Sequence, residues 1–217
     1  VGAGIVGICS AYFLNKSGFQ VTLIDKNDPG SMTSYGHACT FADYACVPIN
    51  STNLFKDVPS MLMRSDGPLS IDFFYMIKNI NWALKFLRNS SRNNVNKISE
   101  ALGNILKSAS VSYDEIFSDV EVSNYIRNEE AIYLYKNEID YLNAKRANAI
   151  RKKNAVKVQI LSQNDILDLE PNLAPVFHNG QLFIGSRHTT NPLAISKKIF
   201  ESFINNGGIF KKQNVIN

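Results

Sequence analysis

The chain has 217 residues, of which 45% are hydrophobic, and its formal net charge is +4. This length accommodates one large core or two smaller ones, and the scattered lysines form no basic stripe of the kind that binds nucleic acid. No apolar run approaches the ~20 residues that cross a bilayer, and the three cysteines lack metal-site spacing and are typical of reduced thiols. We therefore expect a cytoplasmic protein without a metal site or a nucleic-acid partner.

The first element is a glycine-rich loop with the spacing G-x-G-x-x-G, Val1-Gly2-Ala3-Gly4-Ile5-Val6-Gly7. A predicted helix over residues 8–16 and a predicted strand over residues 19–25 follow, and the strand ends in Asp25. In a dinucleotide-binding unit the first glycine permits a tight turn, the second admits a pyrophosphate and the third lets the helix pack closely. Because all these parts occur in order, the sequence predicts a nucleotide site.

The acid at the end of this strand indicates which nucleotide fits. The carboxylate of Asp25 can accept the hydroxyls of a ribose, and it disfavours a 2′-phosphate. The N-terminus of the preceding helix supplies N–H groups and the positive end of its dipole to the phosphates. FAD or NAD therefore fits better than NADP.

Both ends of the chain indicate a longer protein. Only Val1 precedes the first glycine, although a strand of about five residues belongs there. Residues 210–217 end in a predicted strand. We therefore interpret the chain as an N-terminal fragment that is truncated at both ends.

The rest of the chain alternates helices and strands, which predicts an α/β or mixed α/β class. Residues 29–48 form a long loop rich in Gly, Ser and Thr, and such loops are usually functional. The predicted helices cover residues 58–63, Leu69 to Arg88, 95–118, Glu138 to Lys152, 162–170 and Asn191 to Asn205. The predicted strands cover Ala131 to Tyr135, Val156 to Leu161, Gln181 to Ile184 and a last strand after Gly207-Gly208.

Two of these segments leave alternatives open. The aromatic helix from Leu69 to Arg88 carries interspersed Lys and Arg, so it either packs as core between domains or lies on a membrane surface. Tyr133 and Tyr135 share one face of their strand, where they either line an active site or only pack.

At this point the residues resemble a known family. The loop through Asp25 looks like the FAD-binding start of the D-amino-acid oxidase-like superfamily, and within it the small subunits of bacterial D-amino-acid dehydrogenases. Residues 33–39, Thr-Ser-Tyr-Gly-His-Ala-Cys, are similar to the family's Thr-Ser-x-x-Asn-Ala-Gly segment along the pyrophosphate and flavin. Further similar segments follow in the same order: Asp66-Gly67-Pro68-Leu69, Tyr133-Leu134-Tyr135, Leu169-Glu170-Pro171 and Asn191-Pro192-Leu193.

This resemblance covers nearly the whole chain and implies a two-domain enzyme. Its fold would be α/β, with a Rossmann-type FAD-binding domain and an inserted mixed α/β substrate (cap) domain. The corresponding segments would be residues 1–58 and 188–217 for FAD and 59–187 for the substrate. FAD would take a hydride from the Cα of a D-amino acid, and the imine would hydrolyse to a 2-oxo acid and ammonia. Electrons would pass to a respiratory acceptor such as a quinone, with peripheral contact at the inner face of the cytoplasmic membrane.

The resemblance also carries over site residues. The glycines of the loop would hold the pyrophosphate, Asp25 the ribose, Thr33 and Ser34 a phosphate or the flavin, and Val215 the adenine. The full predicted set is Gly2, Ala3, Gly4, Ile5, Val6, Gly7, Asp25, Lys26, Thr33, Ser34, His37, Ala38 and Val215. No catalytic residue is predicted, because much of the family's substrate surface lies beyond Asn217.

Two departures from the family pattern bear on this interpretation. His37 replaces an Asn, and it is either a proton-transfer group beside the flavin or a polar residue in place of the amide. Cys39 replaces a Gly, where glycine indicates a close approach of the backbone to the cofactor. Arg187 and His188 either meet a substrate carboxylate or lie in a solvated loop.

Three other functions stay open beside D-amino-acid oxidation. The first is a related flavoprotein that oxidises glycine, sarcosine or a 2-hydroxy acid. The second is an NAD-linked dehydrogenase, which the long loop after the second strand disfavours. The third is a non-catalytic scaffold.

Overall fold

The computed structural model describes residues 1–50 and 72–216, so the predicted helix 58–63 and the segment 66–69 lie outside the described residues. The chain divides into two compact units. Unit 1 comprises Val1–Ala42, Ala109–Ala131 and Ile184–Asn217, and unit 2 comprises Asp43–Ser108 and Ile132–Phe183.

Helices and strands are mixed along the described residues, in runs of one to three elements of the same kind. The helices are α1 (Ile5–Lys16), α2 (Phe73–Lys78), α3 (Ile80–Asn89), α4 (Arg92–Asp119), α5 (Glu138–Asn143), α6 (Lys145–Lys153), α7 (Gln163–Leu169) and α8 (Pro192–Asn205), with a 3₁₀ turn at Ser123–Tyr125. The strands are β1 (Thr22–Asp25), β2 (Thr40–Phe41), β3 (Ile126–Arg127), β4 (Ala131–Tyr135), β5 (Val158–Ser162), β6 (Asn179–Phe183), β7 (Arg187–Thr189) and β8 (Ile209–Lys212).

Unit 1 is built on a parallel pair of strands with helices packed against it. Strands β1 and β8 pair in parallel, with Thr22 opposite Ile209 and Asp25 opposite Lys212. Helix α8 begins at the predicted Asn191 cap, whose side chain accepts from the Ala194 N–H at 2.9 Å, and Pro192 is its first residue. The core lies between α1 and α8, where the buried side chains include Ile8, Ala11, Tyr12, Ile195, Ile199 and Phe203.

A short antiparallel sheet, in the order β2–β7–β3, completes unit 1. Ile116, Val120 and Val122, at and after the end of α4, are buried in the same core as α1 and α8. Residues 109–131 therefore belong to unit 1, although the sequence places them in the substrate segment 59–187. The functional division into FAD and substrate segments stays a prediction.

Unit 2 contains a three-stranded sheet in the order β4–β6–β5, with β5 and β6 antiparallel. Helix α7 starts with a capping box in which Ser162 and Asp165 satisfy each other's backbone N–H groups. Both tyrosines of β4 pack in this unit: the Tyr133 ring meets Phe183 edge-on at 4.7 Å, and the Tyr135 hydroxyl donates to Gln181 Oε1 at 3.1 Å.

The structure corrects two predicted helices, each of which is broken into two. The segment from Leu69 to Arg88 contains α2 and α3, because Asn79 leaves the helical conformation with φ −113° and its side chain donates to the Tyr75 carbonyl. The segment from Glu138 to Lys152 breaks at Ala144, the C-cap of α5 and N-cap of α6. Among the described residues, no helix has both the length and the apolar character needed to cross a membrane.

Candidate functional site

The glycine loop turns directly into α1. Gly2 has a φ of +100°, which only glycine adopts readily, and its N–H donates to the Ile24 carbonyl at 2.8 Å. A Cβ on Gly7 would lie 1.8 Å from the Gly2 carbonyl oxygen. The first turn of α1 therefore packs on the loop backbone at a distance that excludes any side chain at Gly7.

The N-terminus of α1 faces a serine from the following loop. Gly4 is the N-cap, it provides no side-chain cap, and the first turn contains no acidic residue. The Ile5 N–H donates to Ser34 Oγ at 2.9 Å, and Ser34 is buried. The remaining N–H groups and the positive end of the helix dipole make this end of α1 suited to an anion.

Asp25 is held at the end of β1 by the loop that it faces. Its Oδ2 accepts from the Ala3 N–H at 2.7 Å and its Oδ1 from the Asn27 N–H at 2.8 Å. These backbone donors, that of Ala3 first, hold the pKa of Asp25 below its ordinary value. Because a carboxylate has about four acceptor positions, the ionised group keeps acceptor capacity for a ribose hydroxyl beside these backbone donors.

Gly30 belongs to this arrangement, although sequence reasoning missed it. Its φ is +71°, its N–H donates to the Ala3 carbonyl at 2.8 Å, and a Cβ on it would lie 2.7 Å from Cβ of Ser196. Gly30 therefore fixes the start of the long loop against both the glycine loop and α8. The Pro29-Gly30 pair was the available signal, since this dipeptide marks a turn.

A cavity of about 510 Å³ opens beside the N-terminus of α1, within unit 1. Its volume falls in the range of small-molecule and cofactor sites. The predicted residues that line it are Gly4, Ile5, Val6, Thr33, Ser34 and His37. Residues that sequence reasoning missed form much of the rest of the lining: Cys9, Thr40, Phe41, Tyr113, Phe117, Thr189, Pro192, Ile195, Ser196 and Ile199.

The aromatic part of this lining is packed as one group. Phe41 of β2 meets Tyr113 at 4.8 Å and Phe117 at 5.6 Å, both edge-on. Arg187 lies 5.8 Å from the Phe117 ring, and its Nη1 forms an ion pair with Asp114 Oδ1 at 2.6 Å. The guanidinium proposed for a substrate carboxylate is thus already paired within unit 1.

The histidine and cysteine of the long loop contact each other. His37 Nδ1 accepts from the Cys39 N–H at 2.9 Å, so Nε2 is the ring nitrogen that remains for a ligand. Cys39 has a φ of +66°, and its carbonyl accepts from the Thr189 N–H at 2.8 Å. The backbone conformation at Cys39 thus itself favours glycine. From the sequence alone, the family's glycine at this position is explained by a close approach of the cofactor instead.

The remaining predicted residues lie outside the cavity lining. Asp25 and the exposed Lys26 lie at the carboxyl end of β1, and the Gln213 N–H donates to the Asp25 carbonyl at 2.9 Å. Val215 follows two residues later and is half exposed. Ala38 is exposed in the long loop, and its carbonyl accepts from the Thr40 hydroxyl. His188 Nε2 lies 3.7 Å from Glu129 Oε2.

Comparison with known proteins identifies the family. A family model described as FAD-dependent oxidoreductase (DAO) matches residues 1–217. The chain belongs to this family. Members of the DAO family depend on FAD, so the nucleotide predicted from the loop is FAD.

Individual relatives agree with this assignment. The chain is 30% identical to D-amino-acid oxidase from Bradyrhizobium diazoefficiens over 183 residues, which are 83% of this chain and 43% of the relative. It is 34% identical to D-amino acid dehydrogenase 2 from Ralstonia nicotianae over 103 residues, which are 47% of this chain and 24% of the relative. The fold is similar to glycine oxidase from Geobacillus kaustophilus, with a TM-score of 0.59 and 14% identity over 97% of this chain and 45% of that one. The chain thus spans less than half of the length of these proteins.

The residues of this DAO-family chain fit the cofactor. Within the described part of the chain, a Cβ at Gly4 would have one neighbour within 4 Å, the Oγ of Ser34 at 3.2 Å. Ser34 accepts from Ile5, so its own hydroxyl hydrogen can be donated to an oxygen of a ligand. A glycine surface, a helix N-terminus without an acid and a free hydroxyl donor together suit a pyrophosphate.

Proposed function

We propose that this chain contains the FAD-holding part of an enzyme that oxidises D-amino acids to 2-oxo acids and ammonia. The relationship to D-amino-acid oxidase over 83% of the chain carries the proposal. The shorter match to a D-amino acid dehydrogenase supports the same class of substrate. When bound, FAD accepts a hydride from the substrate carbon, and the protein supplies position and electrostatics.

Within this proposal, the glycine loop and the N-terminus of α1 hold the pyrophosphate. Gly2 and Gly7 shape the loop, and Gly4 leaves room for the phosphate oxygens. Ile5 holds the Ser34 hydroxyl in place, and that hydroxyl and the remaining N–H groups of the first turn, from Val6 onward, stabilise the phosphate charge.

In this proposal, different segments of the chain bind the two ends of the cofactor. At the adenosine end, Asp25 accepts the ribose hydroxyls, beside Ala3 and Lys26, and Val215 offers its backbone to the adenine. At the other end, Thr33, His37 and Ala38 belong to the loop that runs beside the flavin. His37 donates from Nε2, because its Nδ1 is occupied by the Cys39 N–H.

We further propose that the electrons leave to a quinone or another respiratory acceptor. This acceptor places the enzyme in the cytoplasm, in peripheral contact with the inner face of the membrane. The dehydrogenase relative supports electron transfer to such an acceptor, and the oxidase relative supports electron transfer to oxygen. Reoxidation of the reduced enzyme by oxygen, compared with reoxidation by a quinone analogue, decides between the two.

The absorbance spectrum of the purified complete protein tests the main proposal. We expect a flavin spectrum that bleaches when D-alanine is added without oxygen, and no bleaching with L-alanine. A flavin that bleaches only with glycine, sarcosine or a 2-hydroxy acid would keep the cofactor site and overturn the substrate. A colourless protein expressed with sufficient flavin would overturn the cofactor site and favour a scaffold.

A further inference from the structure

Helix α3 presents an unusual amphipathic surface in unit 2. None of its ten residues is buried. Ile80, Leu84 and Leu87 share one face at the spacing i, i+4, i+7, and they are 48%, 58% and 39% exposed. At 3.6 residues per turn, Phe86 and Trp82 extend the apolar surface around one side of the helix to about 120° and about 160° from Ile80, so Trp82, which is 66% exposed and stacks on Phe86 at 5.3 Å, lies at its edge. We call these five side chains the α3 apolar face.

The opposite side of the helix is basic. Lys85 and Arg88 lie there with Asn81, all exposed. Over residues 73–99 the sequence has five Lys or Arg and no Asp or Glu. The five are Lys78, Lys85, Arg88, Arg92 and Lys97. Each is exposed and none forms an ion pair within the described residues.

From this combination we infer that α3 binds the surface of an anionic lipid bilayer, with its axis in the plane of the membrane. An interfacial helix has an apolar face with Trp, Phe and Leu and a polar face rich in Lys and Arg. An ordinary solvated surface intersperses both signs of charge, whereas this segment has only one. Tryptophan is also favoured at the level of the headgroups.

This inference adds a membrane-binding surface to the proposed function, and it rests on that function for the idea that the electron acceptor lies in the membrane. The binding of lipid itself needs no flavin. The apolar face would enter the boundary between headgroups and acyl chains, which removes Leu84 and its neighbours from water. The basic side chains would remain beside the lipid phosphates, because each is long enough to reach the headgroups. Binding should therefore require anionic lipid and weaken in high salt.

Sedimentation of the complete protein with vesicles tests the surface. We expect binding to equal parts of phosphatidylglycerol and phosphatidylcholine, and little binding to phosphatidylcholine alone. Leu84→Glu should weaken the binding about tenfold or more, because a buried Leu is replaced by a charge of the same sign as the lipid. Ile139→Glu is the matched control, since Ile139 is 69% exposed on α5 in the same unit, and it should bind like the wild type.

Fluorescence adds a local measurement, because Trp82 is the one tryptophan of these 217 residues. The difference between the wild type and Trp82→Phe isolates its emission, which should shift to the blue when anionic vesicles are added. Emission that is already blue-shifted without vesicles would show that another part of the protein covers the face and would overturn the inference. Absence of vesicle binding, or equal binding by Leu84→Glu, would overturn it as well.

The same samples separate this inference from the proposed function. Leu84→Glu should keep the flavin spectrum and its bleaching by D-alanine, since α3 lies outside the cofactor site. A colourless protein that still binds anionic vesicles through α3 would contradict the proposed function alone. A yellow protein that bleaches with D-alanine but ignores vesicles would contradict only the membrane surface.

Discussion

Cys39 holds a side chain in a backbone conformation that favours glycine. Its φ of +66° lies in the left-handed region, which costs an L-residue about 1–2 kcal/mol. Two hydrogen bonds keep it there, since its N–H donates to His37 Nδ1 and its carbonyl accepts from the Thr189 N–H. The strained backbone is thus held by the loop and by β7, and the Cys39 thiol adds a longer hydrogen bond to the His37 carbonyl at 3.4 Å.

We expect Cys39→Gly to raise the free energy of unfolding by about 1 kcal/mol, because relief of the strain exceeds the added freedom of the unfolded chain. Urea unfolding of the complete protein measures this change. Ala38→Gly is the matched control, because Ala38 has no positive φ, and it should lower stability by about 0.5 kcal/mol. Equal changes in the two variants would show that the conformation of Cys39 is not strained.

At the scale of elements, the contact between α1 and the glycine loop shapes the proposed cofactor site. The helix reaches the loop at Gly7, and Ile8 on the next position is fully buried in the core with α8. The loop cannot move away, because the Gly2 N–H and the Ala3 N–H are both bonded to residues of β1. The loop, α1 and β1 are therefore one rigid piece.

Gly7→Ala should consequently destabilise the protein by about 3 kcal/mol. The added methyl group would meet backbone, the Gly2 carbonyl, and overpacking of this kind costs about 1–3 kcal/mol or more. Urea unfolding at fixed protein concentration measures the loss. Gly36→Ala is the control, since a Cβ there meets no atom of residues 1–50 and 72–216 within 4 Å, and its stability should change by less than about 0.5 kcal/mol. A Gly7→Ala variant as stable as this control would refute the packing argument.

The elements that the sequence predicted well have local signals. The glycine spacing marks the loop and α1, the Asn191-Pro192 pair marks the start of α8, and Gly207, with its φ of +86°, follows its end. Their positions depend on residues close in sequence, so one chain is enough to find them. The family resemblance added FAD, which the loop alone did not separate from NAD.

The elements that the sequence missed depend on distant partners. Strands β2, β3 and β7 have two or three residues each, and Thr40 pairs with His188 far along the chain. The aromatic lining of the cavity likewise unites Phe41 with Tyr113 and Phe117. The periodicity of residues within one segment does not predict which distant residues it will contact. The break at Asn79 was missed because the apolar pattern continues through it.

At the scale of the whole molecule, we expect the cofactor and the fold to stabilise each other. Ser34, Asp25 and Gly30 each connect the glycine loop to a segment more than twenty residues away. A ligand that binds only the folded state stabilises it by an amount set by its concentration relative to its dissociation constant. Because the site needs all three segments in place, FAD should bind the folded protein alone.

We therefore expect FAD at a hundred times its dissociation constant to stabilise the complete apoprotein by about 2.7 kcal/mol and to raise its Tm by roughly 5 °C. Calorimetry of the apoprotein with and without FAD measures this shift. Gly4→Val should remove it, because the new side chain would start beside Ser34 and occupy the space for the phosphates. The Tm of the Gly4→Val apoprotein should stay within a few degrees of the wild type, since Gly4 caps α1 at the cavity rather than in the core.

NAD serves as the matched ligand, because it shares the adenosine and pyrophosphate of FAD and lacks the flavin. If the glycine loop alone determined affinity, both nucleotides would raise the Tm by similar amounts. The proposed site uses the long loop as well, through Thr33, Ser34 and His37, which line the cavity, so FAD should raise the Tm and NAD should leave it nearly unchanged. An equal shift with NAD, or a full FAD shift in Gly4→Val, would contradict this placement of the cofactor.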